Sequence, residues 1–177
     1  HRNFYNGGDY AFMCASPEGF DPDLENPTST PVKNFHLRIV DISDPSTPET
    51  VGSWMYPGQH PDDDSEEPYN RYFHGPAYVE GDRAYLSYGR VGMVLLDISD
   101  VSEPEMIYKL GVGEGLGGYN GVHSFIPIPG TDLAAANSEA INEAHPLDPD
   151  DGDPLGYTAI VDVSQERPPE FHGRRHR

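Results

Sequence analysis

The sequence predicts an all-β chain of three four-stranded antiparallel sheets arranged as blades of a β-propeller. Three observations carry this. A phrase that closes an apolar run with aspartate recurs as HLRIVDIS at 36–43, GMVLLDIS at 92–99 and YTAIVDVS at 157–164. A second phrase, opening on histidine and running through Gly-Asp, precedes each copy. With Gly 19 and Pro 18 in 177 residues, the composition is that of a chain rich in turns rather than long helices.

The upstream phrase supplies the first two strands of each unit. HRNFYNGGDYAFMCA from His1 and HGPAYVEGDRAYLSY from His74 align without a gap, and HSFIPIPGTDLAAAN from His123 follows with one residue inserted after Gly130. Each reads as a β-hairpin of strands A and B, turning at NGGD, EGD or PGTD. Tyr5, Tyr78, Tyr10 and Tyr85 are expected to pack, and Cys14 to be a buried, unreactive thiol in strand B.

The downstream phrase supplies the other two strands. LRIV, MVLL and TAIV have the β-branched, apolar composition of strand C, and the Asp and Ser that follow can bond the backbone of a tight turn. Each copy then reaches Pro-Glu, at Pro48, Pro104 and Pro169. Proline has no N–H to donate to a sheet, so it belongs at the start of strand D. Strand D is ETVGSWMY, EMIYKLGV and the short EFHG in turn. These phrases resemble the LVIVD-repeat family of propeller-like proteins over most of residues 1–177, which implies the fold and little about chemistry.

The expected blades are 1–56, 74–112 and 123–173. Three blades do not close a ring, because propellers typically have about 4–8. The chain is therefore expected to be part of a 6- to 8-bladed ring, with further blades from the same or another chain.

Charge restricts the partners. Lys+Arg 11 against Asp+Glu 30 gives a net charge of −19, which repels nucleic acid and anionic lipid. No apolar run is long enough to span a bilayer. The acidic surface suits cations or high salt and an extracellular or periplasmic setting. One cysteine permits no internal disulfide.

Insertions locate the candidate site. The separations from His1 to Asp41, His74 to Asp97 and His123 to Asp162 are 40, 23 and 39 residues, so the B-to-C loops of units one and three are long while the other turns within each unit stay tight. In an up-and-down blade these loops and the D-to-A connections share one face, and long loops on a rigid scaffold tend to carry function. His1, His74 and His123 begin the innermost strands on that face. They are candidate ligands of a transition metal, Fe, Cu, Mn or Zn, with positions left open for substrate. Axial histidines that bind metal make this similar, in architecture alone, to the carotenoid oxygenases and to the selenium-binding proteins related to methanethiol oxidase. Glu139, in NSEAINE, is the candidate catalytic-site carboxylate, orienting an axial histidine.

DPDDGD offers Asp148, Asp150, Asp151 and Asp153 around a glycine, a candidate calcium loop without the EF-hand's downstream glutamate. No nucleophile elbow, phosphate-binding loop or dinucleotide fingerprint supports other chemistry. The expected function is a metal-dependent oxidoreductase or lyase acting on a small molecule. The alternative is a non-catalytic secreted or surface propeller that binds calcium or a protein partner. A histidine repeated once per blade could equally be a scaffold residue, and side-chain direction distinguishes the two.

Overall fold

A computed structural model describes residues 2–16, 35–59, 73–89, 91–110, 121–138 and 158–164. Among these residues there are ten strands and no helix, and no helix long and apolar enough to cross a membrane. The strands are β1 (Tyr10–Ala15), β2 (His36–Asp41), β3 (Glu49–Trp54), β4 (Tyr78–Glu80), β5 (Arg83–Tyr88), β6 (Gly92–Asp97), β7 (Glu105–Leu110), β8 (Val122–Pro127), β9 (Leu133–Ser138) and β10 (Thr158–Asp162). They form three antiparallel sheets, ordered β1-β2-β3, β4-β5-β6-β7 and β8-β9-β10. Every neighbour in a sheet is also a neighbour in sequence, the meander expected of propeller blades. The fourth strand expected in unit three, at 170–173, lies outside the described residues.

The repeated phrase is a device for closing turns. Asp41, Asp97 and Asp162 each accept the backbone N–H of the serine two residues on, at 2.8, 2.8 and 2.9 Å. Asp44 and Asp100 repeat the motif one turn later with both the N–H and hydroxyl of Ser46 and Ser102. These bonds favour the ionised carboxylate and hold Asp41, Asp44, Asp97 and Asp100 below the usual range. Between each Asp-Ser pair, the N–H of Ile42, Ile98 or Val163 reaches the carbonyl of Asp9, Asp82 or Asp132, at 2.7, 2.8 and 2.8 Å. The C-to-D turn thus clamps the A-to-B turn in all three units. Pro48 and Pro104 immediately precede β3 and β7, as expected, and both D strands carry a bulge at the same point, leaving Val51 and Ile107 unpaired.

Blade stacking explains the apolar runs. Side chains alternate between the two faces of a strand. In β5 and β6, Ala84, Leu86, Tyr88, Val94 and Leu96 pack with Phe12, Leu37 and Ile39 of the first sheet. Tyr85, Met93 and Leu95 pack on the opposite side with Phe125, Ala136 and Val161 of the third. The middle sheet is buried on both faces, so its C strand reads as a continuous MVLL. In the third sheet Ile160 and Leu133 remain 47% and 38% exposed, on strands whose alternate residues are buried.

Unit one departs from the expected hairpin. Its A strand is reduced to a single bridge, Phe4 to Phe12, whereas the aligned pair in unit two is Tyr78 to Tyr85. The wider NGGD turn slips the register by one residue, which turns the next side chain to the other face. Phe4 therefore packs on Tyr78, with ring centroids 5.3 Å apart, and Tyr5, expected to pack, is 58% exposed. Cys14 is buried in β1 as expected; burial pushes its thiol up to about 11, against the positive charges near it.

Candidate functional site

Two separate irregularities bring His74 and His123 together at the end of the blades from which the B-to-C loops leave. His74 lies outside any strand, and its backbone N–H is held by the carbonyl of Ser87 near the end of β5, at 2.8 Å. His123 is the extra residue of a bulge in β8, between the pairs Val122–Ser138 and Ser124–Asn137. Bulges of this kind redirect one side chain out of the regular pleat. The bridge from Gly89 to Val122 ties β8 to the second sheet beside the site. The two imidazole rings meet with centroids 4.1 Å apart and planes inclined at 47°.

Between them stands Arg2. Its Nη1 lies 2.7 Å from Nδ1 of His74 and 2.7 Å from Nε2 of His123, with Nδ1 of His123 at 3.4 Å. A guanidinium can only donate, so Nδ1 of His74 and Nε2 of His123 both act as acceptors. This assigns the ring protons, leaving Nδ1–H of His123 to donate to the Ser124 hydroxyl at 3.1 Å. The loop carrying His74 presses on the chain around Arg2. A side chain on Gly75, which has φ +63°, would begin 3.1 Å from Cβ of Cys14 and 3.2 Å from the Arg2 carbonyl oxygen. Only glycine fits such a left-handed position at that distance.

Burial, the proximity of His123 and the charge of Arg2, in that order, hold His74 down to about 4 from an ordinary 6.5. An unfolded chain takes up a proton at this residue near pH 6.5, which the folded chain refuses until about pH 4. Stability linked to neutral His74 is therefore complete above pH 6.5 and declines as the pH falls through that window. The loss should be about 1–2 kcal/mol after discounting for solvent around the half-buried ring. An NMR titration of the His74 ring in chelator-treated protein should find its midpoint near 4; a midpoint near 6.5 would contradict the packing described.

Of the residues expected at the site, His74 and His123 converge, and their rings face one another rather than separate blade interiors. His1 and Glu139, and the acidic loop of Asp148, Asp150, Asp151 and Asp153, lie outside the described residues. Among the described residues no group of three or more His, Cys, Asp or Glu is arranged to hold a metal. The histidine reading missed Arg2, although it adjoins the first marker histidine in a chain with only 11 Lys+Arg.

The family model for the LVIVD repeat matches residues 32–55 and 78–110. The chain carries two segments that match the LVIVD repeat. The matched segments cover β2 and β3 and the whole second sheet. Arg2, His74 and His123 lie outside those segments, so the matched repeats describe scaffold and the site is built from residues around them. No curated protein matches the chain.

Proposed function

We propose that the chain is a segment of a β-propeller enzyme, an oxidoreductase or lyase, whose axial histidines hold a transition metal. One observation supports this above the others. The acceptor nitrogens of His74 and His123 both address a single positively charged atom, Arg2 Nη1, at 2.7 Å each. Imidazole binds zinc at about 2.0–2.1 Å, so each ring would close by about 0.6 Å on a metal that took that place, a distance within side-chain rotation. The guanidinium occupies the position a metal ion would need, so metal binding requires Arg2 to move aside. His1, next in sequence to Arg2, would be a third ligand, and Glu139 a carboxylate behind one of the rings. Open coordination positions would face the long B-to-C loops, where a small-molecule substrate could enter. Further blades, from the same or another chain, would cover the exposed face that carries Ile160.

The test is metal analysis of the purified chain after dialysis against zinc or cobalt(II). Wild type should retain about one ion per chain, and the double variant His74→Ala, His123→Ala should retain none with an unchanged far-ultraviolet circular dichroism spectrum. Equal metal content in wild type and variant would refute a site at these histidines. Calcium-dependent melting without a bound transition metal would favour the non-catalytic reading.

A further inference from the structure

We propose that Arg2, gripped by His74 and His123, is the anchor for the carboxylate group of a small-molecule ligand at the end of the blades where these two histidines meet. The proposal goes beyond the metal reading and does not require a metal.

Arg2 is half-buried in a chain of net charge −19, where an arginine would ordinarily pair with one of the 30 Asp and Glu. Among the described residues, its side chain bonds only to imidazoles. A partly buried cation is expected to have an anionic partner. Among the described residues, the imidazole acceptors fix the guanidinium in position and no carboxylate bonds to it.

Donor geometry then narrows the ligand. A guanidinium carries five N–H groups. Nη1 holds two of them and faces the two imidazole acceptors. The remaining three, on Nη2 and Nε, include the side-on fork that binds a carboxylate through two parallel hydrogen bonds. With Nη1 held, less side-chain entropy is lost when the fork engages a ligand. A single fixed positive charge in a strongly acidic protein matches a monoanion better than a phosphate dianion, which the surrounding field repels more strongly. If a metal enters between the histidines, the displaced guanidinium and the metal are two cations in one small space. A carboxylate bridging them would relieve their repulsion, so the same ligand suits both states.

The test is an NMR titration of the full 177-residue chain with acetate, and separately with inorganic phosphate, in the presence of a chelator. Acetate should shift the Arg2 Nε–H resonance and the His74 and His123 ring signals along one saturable curve. Arg2→Lys, which keeps the charge and loses the fork, should weaken acetate binding about tenfold, and Arg2→Ala should abolish saturation. Should Arg2→Ala fail to fold, the comparison of wild type with Arg2→Lys decides. Equal acetate affinity in wild type and either variant, or tighter binding of phosphate than of acetate, would overturn the proposal. Because the chelator removes metal, failure here is distinct from failure of the metal analysis.

Discussion

Gly52→Ala should destabilise the protein by about 3 kcal/mol or more and lower its melting temperature by about 6–12 °C. Gly52 lies in β3 of the first sheet, under the C-to-D turn of the second. A Cβ there would stand 1.9 Å from the carbonyl oxygen of Val101 and 3.0 Å from its carbonyl carbon. Backbone cannot rotate away as a side chain can, so the two sheets would have to separate. Alanine also restricts the unfolded chain, which would favour folding by about 0.4–1 kcal/mol, too little to offset the clash. Gly81→Ala is the control: its added Cβ meets nothing within 4 Å, and only the positive φ of +57° opposes it, at about 1–2 kcal/mol. Thermal melts of the two variants should differ clearly. Equal melting temperatures would mean that the first two sheets do not stack as described.

Tyr88→Ala should be of similar size, about 3–5 kcal/mol, because it empties the centre of the first inter-blade core. Tyr88 is fully buried and meets Trp54 edge-on at 5.4 Å and Phe73 nearly parallel at 5.8 Å. Its hydroxyl donates to Oε1 of Gln59 at 2.8 Å, and the same oxygen accepts the backbone N–H of Tyr56 at 3.2 Å. Burial holds the phenol far above its usual range, so it remains a neutral donor. Tyr88→Phe keeps the ring and removes the hydroxyl's bond to Gln59 and the longer one it accepts from the Tyr56 N–H at 3.4 Å, which should cost about 1–2 kcal/mol. Chemical denaturation of both variants separates ring packing from the hydrogen bond. A Phe variant as damaged as the Ala variant would place the stabilisation in the polar network instead.

The parts legible in the sequence were those that repeat. Three aspartates at equivalent positions identified strand C, and Pro48 and Pro104 marked where strand D begins. The continuous MVLL run carried the two-sided burial of the middle sheet. Features set by contact between blades were not legible. Gly52 aligns with Tyr108 in the second unit, so the repeat gives no hint that Val101 approaches it. The register slip that exposes Tyr5 arises from a turn one residue wider, invisible to an alignment without a gap. At the site, the repeated histidines pointed to a common centre, and His74 and His123 do meet. Arg2 was overlooked because it belongs to no repeated position, and its importance comes only from standing between residues 72 and 121 positions away.

The central proposal is a metal centre at the His74–His123 pair. Crystals grown with cobalt(II) or zinc and measured at the metal's absorption edge test it directly. The expected result is one anomalous peak about 2.0–2.2 Å from Nδ1 of His74 and Nε2 of His123, with the Arg2 guanidinium moved from between the rings. Arg2 still bridging both imidazoles, with no peak beside them at saturating metal, would contradict it.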